Sequence, residues 1–340
     1  MVQVIVFIWV ILPTILPILI CKSWTITVPS LFTAIKHAFI KIFNKNKWPR
    51  KKVGWEICFE DNFDSKTLDL SKWTPQYGVP RTSFEDFDKI IENAPGYPQE
   101  FYAVENIECT GNSLKLWSTK ETRTHTILPS EVVWMSDDPE IQQALIGKKL
   151  TSNYTGAWLS THNKSWGCVP KKQGYFEVRA KNPNSWGFWT AFWMTPDNHQ
   201  FPSLPFFPWP PEIDVFEFWT NELRVHRPGV HLKPRQQEIN NNKSTSNFAK
   251  KITVGNNTGK KFNIYGCEWN EDELIFYFNH IKVFSTKKGS KKIKPPEKIE
   301  ELLYPMGLIL DIRIDQNWVH KAKFPNCLEI DYVRVYKKKA

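Results

Sequence analysis

The chain has 340 residues, 41% hydrophobic and 14% aromatic, which is enough apolar material for one large packed domain or two ordinary ones. A net charge of +10 raises nucleic acid or an anionic membrane as partners, but its distribution decides between them. Lys22, Lys36, Lys41, Lys45, Lys47, Arg50, Lys51 and Lys52 all precede Glu56, the first acidic residue, and supply +8 of the +10, so only +2 remains for the rest. The body of the chain therefore lacks the basic stripe of a nucleic-acid-binding domain, and it carries no zinc-finger spacing, RNP motif or glycine-rich phosphate loop.

Residues 1–21 have no charged side chain and read as a hydrophobic signal or anchor segment, long enough to span a bilayer although Pro13 and Pro17 weaken a helix there. Residues 22–54 form a basic, partly amphipathic linker. Within it Leu31, Phe32, Ile35, Phe39, Ile42 and Phe43 recur near helical spacing, with Lys36 and Lys41 off the stripe. That pattern suits a helix lying on a membrane as well as one packed on a neighbouring domain, and it makes residues 1–52 the expected membrane contact. Positive charge after the apolar run favours a cytoplasmic body. Four sequons, at Asn153, Asn163, Asn242 and Asn256, favour export instead. The expectation is a secreted or membrane-anchored protein with an extracytoplasmic domain. With Cys21 in the apolar run, Cys58, Cys109, Cys168, Cys267 and Cys327 allow at most two disulfides, and no spacing suggests zinc.

From residue 55 the sequence becomes a succession of short β-rich runs: NSLKLWST, GYFEVRAK, WGFWTAFWM, EIDVFEFW, FNIYGCEWN, LIFYFNHIKVFS, PMGLILDIRI and LEIDYVRVY. Gly, Pro, Asn and Lys separate them, which predicts an all-β sandwich or barrel over residues 55–337, followed by a basic tail, 338–340. Segments 78–98, 121–150 and 197–211 read as long insertions bordering a binding site.

The run PPEIDVFEFW places Glu212, Asp214 and Glu217 among β-branched and aromatic residues. Ionised acids beside apolar surface must be solvated, paired or chemically employed. On a regular strand Glu212 and Asp214 share a face and Glu217 points the other way. A bulge at Val215 and Phe216 would return Glu217 to that face. Two carboxylates about 5 to 5.5 Å apart suit a retaining glycosidase, one attacking the anomeric carbon and the other serving as acid and then base. Asp214 between them would orient the nucleophile, while crowded charge raises the pKa of the acid. A half-buried strand with its acids in water shows the same alternation. Trp189, Trp193, Trp219 and Trp318 lie where flat aromatics could stack on the apolar faces of sugar rings, with Trp193 on the floor.

These residues resemble glycoside hydrolase family 16, whose signature is E-x-D-x-x-E on a bulged strand. FEDNFDSKTLDLSKW is similar to the family's opening strand and turn. QGYFEVRAKNP and WGFWTAFWMTP are similar to its central strands, YGCEWNEDELIFYFNHIKV to a later hairpin, and PMGLILDIRIDQNW with LEIDYVRVYK to its closing strands. The resemblance implies a concanavalin A-like β-jelly roll with Glu212 as nucleophile, Asp214 as its assistant and Glu217 as general acid/base. It also implies sugar contacts from Glu100 and His231. A structural calcium, should one bind, would lie between the opening turn and the last strand, at Asp331 and Asn62, with Asn62 at a position that is often Glu; no other cofactor is implied. Pro211 stands where many relatives have Gly.

The implied function is endo-acting hydrolysis of a β-linked polysaccharide, a β-1,3-glucan or a marine-type galactan. A transglycosylase or a non-catalytic glycan-binding protein on the same scaffold are the alternatives, and the oligomeric state is left open. Arg224, Arg227, Lys233 and Arg235 follow the acidic strand, either as partners for sulfate or as a solvated basic loop.

Overall fold

The computed structural model describes residues 54–75, 100–129, 132, 139–162, 164, 174–197, 211–232, 246–247, 249–270, 273–287 and 306–339. The apolar segment, the linker helix, Asn163, Asn242, Lys233, Arg235 and insertion 78–98 lie outside them, as does most of insertion 197–211.

Two eight-stranded sheets pack face to face. In the first, the long closing strand Asn326–Lys338 pairs with Gly174–Lys181 on one side. On its other side it takes Leu114–Ser118 at its start and the opening strand Trp55–Asp61 at its end, so the strand reaches into the basic tail as far as Lys338. Asn263–Trp269 and the hairpin Glu273–Phe278 with Ile281–Lys287 complete that side. The second sheet holds three strands that matter most for function. The acidic strand Glu212–Trp219 pairs with the tryptophan strand Phe188–Pro196, which pairs in turn with Met306–Ile314, here called the arginine strand after Arg313. Gly229–Leu232 flanks the acidic strand and Thr155–Ser160 flanks the arginine strand.

Alternation explains the packing. Ile213, Val215, Phe216 and Phe218 of the acidic strand meet Phe188, Phe192 and Met194 of its neighbour and Leu308, Leu310 and Ile312 of the next, all in one core shared with Phe176, Val178, Tyr265 and Phe276 of the facing sheet. Every apolar run marked in the sequence became a strand, the LIFYFNHIKVFS run as a hairpin turned by Asn279 and His280 in left-handed backbone. Thr155–Ser160 has no alternation to betray it, because both its faces are buried. Residues 121–150 are not plain loop. They contain a hairpin, Arg123–Thr126 with Lys149–Ser152, and a helix, Pro139–Leu145, around a small core of Phe101, Ile127, Val132, Leu145 and Leu150. Cys58 is disulfide-bonded to a partner outside the described residues, while Cys109, Cys267 and Cys327 are free thiols.

Candidate active site

The acidic strand carries the bulge. Ala191 pairs with Glu217 and Phe192 with Phe216, but Trp193 pairs with Asp214, so Val215 is the extra residue. Val215 and Phe216 both point into the core. Glu217, Asp214 and Glu212 therefore share the outer face of the sheet with Trp189, Ala191 and Trp193. The Val215 carbonyl lies 3.0 Å from Nε2 of His226, a fully buried ring stacked on Phe218. The bulge is thereby held from inside the core.

Glu212 stands opposite His231 on the next strand. His231 Nε2 lies 3.3 Å from Asp214 Oδ2 and 3.7 Å from Glu212 Oε1. Burial by itself would lower the pKa of His231, but the Asp214 hydrogen bond and the charges of Glu212, Asp214 and Glu217 push it up to about 9, so the ring is cationic at neutral pH. Burial raises the Asp214 carboxyl despite that bond. Burial also raises Glu217, helped by the charge of Glu212 and opposed by Arg313, by His231 and by the Trp189 indole N–H, and its pKa reaches about 7. That N–H is buried and aimed at the carboxylate without closing an ordinary hydrogen bond. A carboxyl poised near neutrality can give a proton and take one back.

Next to the row formed by Asp311, Ala191 and Glu217 runs a second row. Arg313, Trp189 and Trp219 stand in register across three strands. The Arg313 guanidinium lies 3.9 Å from the Trp189 ring, the two indoles stack at 5.2 Å and 20°, and the Arg227 guanidinium lies 4.4 Å from the Trp219 ring. Rings and guanidinium groups thus form a ladder standing on the sheet.

Several sequence expectations change here. Trp189 and Trp219 present edges rather than flat platforms, because an indole or a guanidinium covers their faces. Arg227 is no solvated loop base: its side chain is 5% exposed and pairs with Glu222. Glu100 is 2% exposed and accepts the Ile314 amide at 3.0 Å, so it supports the arginine strand instead of touching sugar. A Cβ on Gly156 would lie 2.4 Å from the Ile312 carbonyl oxygen and 2.9 Å from Glu100 Oε2, so only glycine leaves Glu100 its seat. Asn62 and Asp331 do not fit a calcium site: Asn62 Oδ1 accepts from Arg334 at 2.9 Å and Asp331 Oδ2 from Arg179 at 2.6 Å. Each of the two oxygens is thus engaged by a different arginine.

Trp193 stands on the same outer face, edge to face with Trp158 at 5.1 Å, its indole donating to Asp311 Oδ1 at 2.9 Å. Trp318 lies beyond the arginine strand, perpendicular to Trp186 at 4.9 Å, and Trp186 is 41% exposed. Sequence reading missed Asp311, Arg313 and His226 as members of this assembly. Two charges in DIRI, among β-branched residues, were the available signal for the first two; nothing local marks His226.

A two-sheet sandwich bearing three carboxylates on the outer face of one bulged strand defines the glycosidase type of jelly roll. The profile of the family Glycosyl hydrolases family 16 matches residues 130–308, and the chain belongs to that family. Its relatives include the Endo-1,3-1,4-beta-glycanase ExsH of Rhizobium meliloti, 30% identical over 131 residues, 38% of this chain and 24% of that protein. The Beta-glucanase of Rhodothermus marinus is 29% identical over 193 residues, 54% of this chain and 63% of that one. The chain thus spans about a quarter of the first relative and under two thirds of the second. Among solved structures, the endo-beta-1,3-glucanase from Pyrococcus furiosus shares the fold at a TM-score of 0.55 and 23% identity, covering 84% of this chain and 95% of that one.

Proposed function

We propose that this protein is an endo-acting β-glucan hydrolase that works by double displacement. The observation that carries the reading is the bulge at Val215, which lines up three carboxylates and leaves Glu217 with a pKa of about 7. Glu212 attacks the anomeric carbon while protonated Glu217 delivers its proton to the departing glycosidic oxygen. Ionised Glu217 then draws a proton from water, which attacks the same carbon and frees Glu212. Asp214, bonded to cationic His231, also hydrogen-bonds Glu212 and so restrains the nucleophile. Glucan is favoured over galactan because the two relatives above are named for β-glycanase and β-glucanase activity. The half-exposed Trp186 and Trp318 pair offers the outer aromatic contact.

The test is to incubate the protein with laminarin, mixed-linkage β-glucan, agarose and κ-carrageenan, size the products and follow the first anomer by NMR. Medium-length oligosaccharides from a glucan, released first as the β-anomer, are expected. Cleavage of a galactan alone would overturn the substrate, products longer than the substrate would mark a transglycosylase, and an α-anomer appearing first would overturn double displacement. Export is part of the same proposal, supported by the Cys58 disulfide, which needs an oxidising compartment. Recovery of the intact chain, Met1 included, in the soluble cytosol of the host would refute it.

A further inference from the structure

We propose that Arg313 is a positioning residue for the acid/base: stacked on Trp189 one row from Glu217, it fixes the indole that faces Glu217 and sets a permanent positive charge beside that carboxyl. The proposal rests on the reading of Glu217 as acid/base given above.

Three observations carry it. First, Arg313 pairs in register with Trp189, and Trp189 with Trp219, so the guanidinium lies over an indole whose other neighbour is another indole. At 3.9 Å from the ring it acts as a clamp closing the end of the stack, with Arg227 at 4.4 Å closing the other end. Second, the guanidinium is ion-paired at its own base: Nε lies 2.9 Å from Asp311 Oδ2 without being aligned as an ordinary hydrogen bond, Asp311 is fully buried, and the other oxygen of Asp311 accepts from Trp193 Nε1. A planar fork suits both tasks at once, whereas an ammonium would satisfy the carboxylate and leave the ring face open. Third, the groups around Glu217 have a definite balance. On its own strand Glu212 and Asp214 oppose its ionisation. His231 from the flanking strand, Arg313 from the arginine strand and Arg227 from the following loop favour it. Of these cations, His231 is spent on Asp214 and Arg227 is paired with Glu222. Arg313 has Asp311 and the buried Glu100 as counter-charges and lies on the Trp189 side of Glu217, one row away. Without it, burial and the charge of Glu212 would hold the Glu217 carboxyl higher still.

A role confined to holding the strand would be indifferent to charge, and this separates the two readings. In the full chain, the Glu217 carboxyl is titrated by carbon NMR, assigned with Glu217→Gln, and the Trp189 indole N–H is followed in the same samples. Arg313→Met should move the Glu217 midpoint up by about one pH unit, and the alkaline limb of kcat/KM by the same amount. Arg313→Lys should leave the midpoint near wild type while shifting the Trp189 resonance. Because the single variant to Met leaves Asp311 buried without its partner, Asp311→Asn with Arg313→Met serves as the folded control and should also raise the midpoint. A midpoint unchanged in the folded control, or in a folded Arg313→Met protein, overturns the proposal. The titration needs no substrate: a shifted midpoint in a protein that cleaves no glycan would uphold the positioning of Glu217 and sink the hydrolase reading, whereas normal glucan cleavage with an unshifted midpoint would do the reverse.

Discussion

Trp193 stands opposite Asp214 across the sheet, where an unbroken register from Ala191 and Glu217 would have set it against Val215. That one-residue slip is what lets Glu217 join Glu212 and Asp214. A strand without it would turn either the first two acids or the third into a core lined by Phe192, Phe216 and Phe218, where ionised carboxylates are costly.

Glu212→Gln and Glu217→Gln should each lower kcat on a β-glucan by roughly three orders of magnitude or more, since each near-isosteric change removes a reacting group. Asp214→Asn should be milder, because His231 can still bond the amide oxygen. Circular dichroism and thermal melting should show all three variants folded. Wild-type rates in either glutamate variant would refute the assignment.

The dependence of activity on pH follows from Glu217. Its pKa is raised to about 7, and the first step needs it protonated, so kcat/KM should fall as pH rises through 7. His231, held near 9, stays charged over that limb and adds no second inflection below it. An alkaline limb that begins only above pH 9 would mean that another group supplies the proton.

His226 should matter beyond its volume. His226→Phe keeps an aromatic ring against Phe218 and Tyr265 but removes the donor 3.0 Å from the Val215 carbonyl. Leaving that buried carbonyl unsatisfied costs about 1–3 kcal/mol. Stability should fall by that order in urea melts, and kcat should fall with it because the bulge loosens. A variant as stable and as active as wild type would show that the bulge holds itself.

Glu100 should make stability depend on pH. Burial, with some help from Asp311, pushes its pKa up to about 8 against Arg313 and the Ile314 amide. Between the ordinary carboxyl value of 4.5 and about 8 the folded state keeps a proton that the unfolded chain releases, so stability falls as pH rises through that window. Glu100→Gln retains an acceptor for Ile314 and should flatten the slope, gaining about 1 kcal/mol or more on wild type by pH 8. Parallel curves of melting temperature against pH would refute this.

The sequence by itself determined the class of fold, because alternating apolar positions in eight runs leave only β-sheet packed on β-sheet as a way to bury them. It also located the acids, since Glu212, Asp214 and Glu217 lie within six residues and their face depends on a single bulge. Residues that act from other strands were beyond it. Whether Trp189 shows sugar a face or an edge depends on Trp219 and Arg313, which lie 30 and 124 positions away in the chain and come alongside only through strand register. Glu100 and Asp331 look alike as isolated carboxylates, yet one is buried against the Ile314 amide and the other paired with Arg179. Local pattern sets which face a side chain takes; what covers it is decided by strands far off in sequence, and so by the tertiary structure alone.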